Sequence, residues 1–434
     1  MPERKRLKTS RYNEPVEKKR KTPPSNPAIE RTSTNIESTD STKVSQTSAN
    51  AQKQQDQQPA TSLPLPAKHL AFQRSCVSRG VIIHPSITPA SLPGRGIGLQ
   101  TTSSIPSSTR ILFIPESATF KPEKKLSKAH PGISPHAHLA LSASSSFPKD
   151  AELKKWCATW PSNEDIRSSL PIFWEDSIRD KLPVSTKCVL ERQRQDFDKD
   201  VAATGKAGDE EFEYYWAIVN SRSFHWKPPG SKPGYMVLCP FIDYLNHGPT
   251  GTGVRVEQTA KGFEVWTDRD YEAGEELLLT YGSHPNDKLL THYGFIHIPS
   301  PSSPSQSDDS ITLDHILLPH LSQKTKSTIQ DTGYLGNYTL DPVTQIYCFR
   351  TQVAVRAELF SANEWEYFCL NGEDMGVDRE REVEEWLEGI LEGLWEEARN
   401  VKEWHGEGYA GNMVRERWRL IEIGLGRKLG REGW

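Results

Sequence analysis

The sequence lacks the cysteine pairs from which structural zinc sites are built. No two of its six cysteines are spaced as CxxC or CxC, the spacing typical of zinc ligands. The six are Cys76, Cys157, Cys188, Cys239, Cys348 and Cys369. We therefore expect no metal, and a scattered set of this kind is typical of reduced thiols in a cytosolic or nuclear protein.

Long apolar runs and a strong charge of one sign are also missing. No stretch approaches the roughly 18 uninterrupted apolar residues of a membrane span, so we expect no membrane partner. The formal net charge of -4 is close to neutral, and we therefore expect no direct binding of nucleic acid. The 434 residues, 35% of them hydrophobic, are enough for a sizeable core and two or three domains.

Residues 1–66 are nearly free of aromatic side chains and rich in Ser, Thr, Gln, Asn, Pro and Lys. Such a segment buries too little apolar surface to offset its ordering entropy, so we predict disorder. Two basic clusters, residues 4–6 and 18–21, resemble a bipartite nuclear import signal, although a solubilising basic tail gives the same pattern. No apolar run follows them, which excludes a secretory signal. We expect the protein in the nucleus, the cytoplasm or both.

Ordered structure should begin near Ala67. Short apolar runs bounded by turn residues predict strands. These runs lie at residues 81–83, 111–114, 236–238, 254–256, 263–266 and 277–281. Residues 260–262 predict the turn of a hairpin between the fourth and fifth of these strands.

Two other regions have helical periodicity. Between about residues 121 and 219 the apolar residues are spaced as on short amphipathic helices, and residues 210–219 give the clearest pattern there. After a Ser/Pro linker at residues 299–310, the remainder is mainly helical. Residues 379–404 form the clearest helix of the chain, with one apolar stripe.

Three motifs far apart in the sequence carry the chemistry. The first is a glycine-rich segment after a strand, with Gly94, Gly96 and Gly98. Glycine lets a backbone turn sharply and approach a ligand closely. The spacing is neither that of a Rossmann fingerprint nor that of a phosphate-binding P-loop, and a plain glycine-rich hairpin would look the same.

The second motif places Asp243, Asn246 and His247 after an apolar strand. Asn and neutral His both donate and accept hydrogen bonds, so the pair could bind an adenine edge; a turn capped by Asn is the alternative. The third motif is a strand that ends in Tyr281 next to a glycine, followed by Tyr-Gly-Phe at residues 293–295. Taken alone, these aromatic residues could equally be core packing.

In this order, the three motifs resemble the SET-domain family over about residues 75–297. The long insert between the first and second motifs and the helical tail after the third are similar to one branch. That branch includes the Rubisco large-subunit lysine methyltransferase and related eukaryotic enzymes, which lack cysteine-rich zinc segments. Residues 220–224 also resemble the S-R-x-F element of this branch.

The resemblance implies an α+β fold of small curved β-sheets with a pseudoknot, a helical insert and a C-terminal helical lobe. The implied domains are a disordered tail at 1–66, a SET domain at 67–300 with its insert at about 121–219, and a lobe at 301–434. This lobe would correspond to the substrate-binding domain of the branch. We expect a monomer whose partner is a protein substrate.

The resemblance also implies a cofactor, S-adenosylmethionine, and a role for each matching residue. Tyr281 would be catalytic, at the meeting point of the methyl group and the acceptor nitrogen. Arg222 would pair with the cofactor carboxylate, a role that suits its planar guanidinium. The other implied cofactor-binding residues are Arg95, Gly96 and Ile97 through their backbone, Asn246 and His247 in the pseudoknot, and Tyr293 and Phe295 against the adenine. One departure is Arg95, because this position is often acidic in the branch.

Methyl transfer from a sulfonium to an amine is an in-line displacement that needs neither a metal nor a covalent intermediate. The protein must align the reacting atoms, exclude water and accept a neutral amine. Loss of the lysine proton costs roughly 4–5 kcal/mol at pH 7, and an apolar channel lowers that cost. The expected function is protein-lysine N-methyltransferase. Methylation of another nitrogen, on histidine, and an inactive SET module that binds proteins remain alternatives; the retained Asn246, His247 and Tyr281 argue against the latter.

Overall fold

A computed structural model describes residues 65–227, 234–299 and 307–431 of the chain. Contacts within the chain separate Met1–Gln58 from Pro59–Trp434, and every described residue lies in the second unit. The predicted disordered tail, both basic clusters and most of the predicted Ser/Pro linker fall outside the described residues. The first helix begins at Ala67, where the sequence predicts ordered structure to begin.

Fifteen α-helices lie within the described ranges. In chain order they are α1 (Ala67–Ser78), α2 (Lys124–Ala129), α3 (Pro135–Ser146), α4 (Ala151–Cys157), α5 (Asn163–Ser169), α6 (Asp176–Arg179), α7 (Val184–Thr204), α8 (Glu210–Arg222), α9 (Asn286–Lys288), α10 (Asp314–Leu317), α11 (Gln323–Asp331), α12 (Phe349–Leu359), α13 (Ala362–Asn371), α14 (Arg379–Lys402) and α15 (Gly408–Lys428). None of these helices is long and apolar enough to cross a membrane.

Twelve short strands lie in the same ranges. They are β1 (Ile82–Ile83), β2 (Ile87–Leu92), β3 (Gly96–Thr101), β4 (Arg110–Pro115), β5 (Ser223–Trp226), β6 (Tyr235–Leu238), β7 (Asn246–His247), β8 (Arg255–Thr259), β9 (Gly262–Trp266), β10 (Glu276–Leu279), β11 (Ile311–Thr312) and β12 (Thr339–Leu340). All six predicted strands are found, but the last ends at Leu279 and leaves Tyr281 just beyond it.

The strands form small sheets. One four-stranded sheet has the order β1-β4-β9-β8 and another the order β2-β3-β10-β7, while β5 pairs with β6 and β11 with β12. Every pairing is antiparallel except that of β7 with β10, which is parallel. Helices and small sheets in this arrangement confirm the predicted α+β class.

Two glycines explain the hairpins around the site. In the predicted β8–β9 hairpin, Thr259 pairs with Gly262, and a Cβ on Gly262 would lie 2.0 Å from the carbonyl oxygen of Ile114. In the first motif, Leu92 pairs with Gly96, whose φ of +73° lies in the left-handed region that favours glycine. The glycine-rich motif is therefore a hairpin between β2 and β3. The sequence does not predict β2, because its Pro and small residues give no apolar run.

The helical insert predicted at 121–219 contains α2 to α8, and α8 extends three residues beyond the predicted helix at 210–219 to end at Arg222. Its core is aromatic: the ring centroids of Phe147 and Trp160 are 4.8 Å apart, and those of Trp156 and Trp160 are 5.7 Å apart. Trp156 and Trp160 are buried. The insert therefore has an aromatic core of its own, and it contacts the next strands where α3 packs against β6 and α8 against β5.

The C-terminal part confirms the clearest helix of the sequence. It is α14, and its buried stripe consists of Val383, Leu387, Leu391, Leu394 and Ala398. The small β11–β12 ribbon was not predicted, because two residues per strand give no periodic signal. Trp418 is buried and donates its indole N–H to the carbonyl of Lys181 at 2.7 Å, so this tryptophan ties α15 to the segment between α6 and α7.

A buried arginine also holds α15 to the residues after the third motif. Arg417 is fully buried, and its guanidinium lies 2.7 Å from Asp287 and 2.8 Å from Asp309. Thr186 of α7 donates a further hydrogen bond of 2.6 Å to Asp287. Burial opposes ionisation of Asp287, but Arg417 outweighs it and holds the pKa of this carboxyl below its usual range.

We predict that Arg417→Met destabilises the protein by roughly 3–5 kcal/mol, because it leaves two carboxylates buried without their partner. As a control, Arg381→Ala removes an exposed arginine paired with Asp378 and Glu385, and should cost at most about 1 kcal/mol. Urea unfolding followed by circular dichroism measures both. Equal losses in the two variants would contradict a structural role for the buried cluster.

Candidate active site

A cavity of about 790 Å³ lies where the three sequence motifs meet. Eight of the nine predicted site residues line it, although they span 200 positions of the sequence. They are Arg95, Gly96, Ile97, Arg222, Asn246, Tyr281, Tyr293 and Phe295. Its volume is in the range of small-molecule sites in proteins.

Tyr281 has a fixed orientation at the wall of this cavity. Its hydroxyl donates a hydrogen bond of 2.8 Å to the carbonyl of Leu245, and its backbone N–H donates to Nδ1 of His247 at 3.3 Å. Burial raises the pKa of Tyr281 to about 12, so the hydroxyl keeps its proton at neutral pH. Because that proton is directed to Leu245, the lone pairs of the oxygen are left to face a ligand.

The ninth predicted residue, His247, lies behind the wall. Its ring centroid is 5.2 Å from that of Tyr281 and 5.9 Å from that of Phe295. Burial, and then neighbouring His297, lower the pKa of His247 to about 4. The imidazole is therefore neutral at physiological pH, which agrees with its accepting the N–H of Tyr281. In the described structure, His247 therefore helps to fix the orientation of Tyr281 through this hydrogen bond and through ring packing.

Arg95, the residue that departs from the family pattern, is held by contacts within the chain. Its guanidinium forms an ion pair of 2.8 Å with Glu276 of β10 and donates to the carbonyl of His247 at 3.0 Å. Asn246 donates from Nδ2 to the same Glu276 at 2.9 Å and to the carbonyl of Arg95 at 3.3 Å. Both donors of the Asn246 amide therefore serve this network, and its oxygen is left to accept.

Gly98 makes this close packing of the hairpin against Asn246 possible. A Cβ at Gly98 would lie 2.5 Å from Cδ1 of Leu92 and 2.8 Å from Nδ2 of Asn246. On the other side of the site, Gly282 has a φ of +137° and lets the chain turn immediately after Tyr281. These two positions explain the glycines of the first and third motifs.

Arg222 enters the cavity from the end of α8. Its Nη1 donates to the backbone carbonyl of Asp243 at 3.1 Å, and its buried Nε has no partner among the described residues. The Asp243 carboxylate accepts the indole N–H groups of Trp156 at 3.0 Å and Trp160 at 3.2 Å. Burial raises the pKa of Asp243, and Arg222 and the two indoles act against that rise. The Arg222 guanidinium lines the cavity, where its positive charge can attract a ligand anion.

Aromatic rings form the opposite end of the cavity. The ring of Tyr293 lies 5.1 Å from that of Tyr281, and Phe295 lies 6.3 Å from Tyr293. Tyr293 is the last residue of a turn of π-helix at Leu289–Tyr293, Gly294 ends this turn with a φ of +79°, and Phe295 follows. The Tyr-Gly-Phe sequence therefore turns both rings towards Tyr281.

Several residues of the site were not singled out from the sequence. Glu276 is part of the third motif, and an acidic residue on a strand beside Arg95 could have suggested the pair. The spacing of Trp156 and Trp160, four apart, could have indicated one shared partner. Lys68 and His69 of α1 also line the cavity, and no local signal marks them, because their place depends on tertiary packing alone.

The described residues contain no group of three or more His, Cys, Asp or Glu that could hold a metal ion. The chemistry that the cavity supports is therefore that of a positioned tyrosine hydroxyl, an arginine and an aromatic wall. These groups can bind an anionic and aromatic ligand and orient a nucleophile beside it.

Comparisons with known proteins agree with this geometry. A family model described as the SET domain matches residues 96–282. The ribosomal lysine N-methyltransferase set11 of Schizosaccharomyces pombe is 27% identical over 362 residues, which cover 75% of this chain and 87% of that protein. SET domain-containing protein 4 of Homo sapiens is 24% identical over 58% of this chain and 64% of its own length, somewhat less than two thirds.

A solved structure shares the fold. The crystal structure of the SET domain of LSMT bound to lysine and AdoHcy superimposes with a TM-score of 0.57 over 85% of this chain and 91% of that chain, at 15% identity. The family match contains Gly96, Arg222, Asn246, His247 and Tyr281. Residues 96–282 of this chain therefore match the SET domain, and the fold agrees with that match.

Proposed function

We propose that this chain is an S-adenosylmethionine-dependent protein-lysine N-methyltransferase in which Tyr281 is the catalytic residue. The observation that carries the proposal is the position of the Tyr281 hydroxyl. It is fixed by the carbonyl of Leu245 in a cavity that Arg222 lines together with Phe295. The name of the fission yeast relative and the lysine and AdoHcy bound in the LSMT structure support the same reaction.

The residues of the cavity fit the cofactor. The guanidinium of Arg222 matches a carboxylate, the Asn246 amide oxygen is left to accept a donor, and Tyr293 and Phe295 offer rings to an adenine. The backbone of Arg95, Gly96 and Ile97 would complete the site. S-adenosylmethionine, when bound, supplies a methyl group already activated by a positively charged sulfur.

The chain's own residues position the acceptor amine and exclude water. The hydroxyl oxygen of Tyr281 can accept an N–H from the acceptor amine, since its own proton is engaged by Leu245. The aromatic walls disfavour a charged ammonium and so favour the neutral amine that has a free lone pair. Weak C–H···O contacts to the tyrosine oxygen and neighbouring carbonyls would add to the alignment.

We propose a ribosomal protein as the class of acceptor, because the fission yeast relative is named as a ribosomal lysine methyltransferase. In the domain division that we propose, the SET domain spans residues 67–300 with its insert at 121–219, and residues 301–434 form a substrate-binding lobe. We propose that the protein acts as a monomer without direct nucleic-acid binding, and that it is present in the nucleus as well as the cytoplasm.

We predict that Tyr281→Phe lowers kcat and kcat/KM together by ten- to a thousand-fold, roughly 1.4–4 kcal/mol, while cofactor affinity stays near that of the wild type. The substitution removes one hydroxyl and keeps the ring, so the fold should survive. Methyl incorporation from labelled cofactor into ribosomal proteins measures activity, and calorimetry measures cofactor affinity.

Tyr271→Phe is the matched control. Tyr271 is buried outside the cavity, and its hydroxyl bonds to Asp268 at 2.9 Å, so its loss should affect stability alone. Methyl incorporation by Tyr281→Phe at the wild-type rate would show that Tyr281 is a packing residue. An inactive wild type would favour the alternative of a SET module that binds proteins.

Asn246→Ala should weaken cofactor binding by roughly 1–3 kcal/mol, because it removes an acceptor of the cavity and leaves Glu276 with one donor fewer. The control is Asn371→Ala on the exposed face of α13, where the amide bonds only to the carbonyl of Tyr367 in the described structure. Calorimetric titration with S-adenosylmethionine is the measurement, and identical affinities for both variants would remove Asn246 from the cofactor site.

For localisation, we predict that residues 1–21 direct a fused fluorescent reporter to the nucleus, because they carry both basic clusters. A matched fusion with the Lys and Arg residues of both clusters changed to Ala should stay cytoplasmic. If the unchanged fusion is also cytoplasmic, the clusters act only as a solubilising tail.

A further inference from the structure

Helix α1 lies ahead of the segment that matches the SET domain, yet it contributes to the cavity. The family match begins at residue 96, whereas Lys68 and His69 line the same cavity as Tyr281. His69 is 1% exposed, and it is the buried residue of α1 that faces this site. Buried polar groups are almost always hydrogen-bonded, so the imidazole of His69 should have a partner.

That partner is Tyr244. Nδ1 of His69 lies 2.8 Å from the Tyr244 hydroxyl, across 175 positions of sequence, and the two ring centroids are 5.6 Å apart. Burial, and then Lys68, lower the pKa of His69, while burial raises that of Tyr244. Both directions favour a neutral imidazole that accepts a hydrogen bond from the phenol.

Tyr244 lies between the two residues whose carbonyls hold the catalytic groups. The carbonyl of Asp243 accepts from Arg222 at 3.1 Å, and the carbonyl of Leu245 accepts from the Tyr281 hydroxyl at 2.8 Å. The consecutive residues Asp243, Tyr244 and Leu245 therefore contact Arg222, His69 of α1 and Tyr281, respectively. Just before them, Phe241 is buried with a φ of +71°, a strained conformation that persists only where its surroundings impose it.

We infer that His69 is a positioning residue, which through the Tyr244 hydroxyl sets the location of the carbonyls that orient Tyr281 and Arg222. The inference rests on the proposed methyltransferase function. Its physical basis is that Tyr244 lies between the two carbonyls. The indoles of Trp156 and Trp160 hold the Asp243 side chain, whereas the His69 contact holds the Tyr244 hydroxyl, so loss of that contact lets the backbone at Tyr244 and both carbonyls shift. In-line transfer is sensitive to such shifts, because a misplacement of about 1 Å can reduce the rate about a hundredfold.

Four variants of the full chain test this. His69→Ala and Tyr244→Phe each remove one side of the contact, and His69→Asn places an amide oxygen near the position of Nδ1. Ser75→Ala is the control on the same helix, since Ser75 ties α1 to Glu152 of α4 at 2.5 Å and does not line the cavity. For each, the kcat of methyl transfer, the affinity for S-adenosylmethionine and the melting temperature are measured.

We expect kcat to fall about ten- to a hundredfold in His69→Ala and in Tyr244→Phe. The double variant should fall no further than either single one, because both substitutions break one contact. His69→Asn should recover kcat to within about threefold of the wild type by restoring the acceptor. Ser75→Ala should lower the melting temperature and leave kcat unchanged. If the role of His69 were purely structural, the His69 and Tyr244 variants would show a lower melting temperature and an unchanged kcat, as expected for Ser75→Ala.

The affinity for S-adenosylmethionine separates failure of this inference from failure of the proposed function. It should weaken about three- to tenfold in His69→Ala and Tyr244→Phe, because Arg222 is held through the same turn. If the wild type binds the cofactor but transfers no methyl group, the proposed function fails and this affinity still decides the role of His69. Unchanged affinity and unchanged kcat in His69→Ala would overturn the inference.

Discussion

The site depends on one parallel pairing, that of β7 with β10. Asn246 is paired with Leu278 and His247 with Leu279, so the end of the second motif lies beside the strand that leads to Tyr281. The rest follows from this register. Leu245 lies where its carbonyl can accept from the Tyr281 hydroxyl, and His247 lies where its ring can accept the Tyr281 N–H. A shift of one residue would turn each side chain to the opposite face.

An ion pair and hydrogen bonds stabilise the pairing of β7 with β10 from the other side of β10. Arg95, Glu276 and Asn246 form a network that joins the turn between β2 and β3 to β10 and β7 through one ion pair and two amide hydrogen bonds. This gives a physical reason for arginine at a position that is often acidic in related proteins. The acidic partner is supplied by β10, so the cavity keeps a paired charge at its edge. Because the pair is partly exposed, its main effect is on geometry and less on stability.

Local pattern was enough for six of the twelve described strands, for α14 and for the residues of the three motifs, because each has a signal within ten or twenty residues. The structure brings eight of the nine predicted site residues to one cavity. What the sequence did not predict depends on distant contacts. β2 contains Pro and small residues, Glu276 is recognisable only beside Arg95, and His69 acquires a role only from Tyr244, 175 positions away. Contacts between residues so far apart leave no periodic pattern in the sequence.

The most direct test of the account is to identify the atom that receives the methyl group. Purified protein is incubated with labelled S-adenosylmethionine and ribosomal proteins, and the labelled residue is located by mass spectrometry. The proposed function, with an aromatic cavity beside a positioned tyrosine hydroxyl, predicts label on the side-chain nitrogen of lysine. Label on histidine, or no label on any protein while the cofactor still binds, would contradict it.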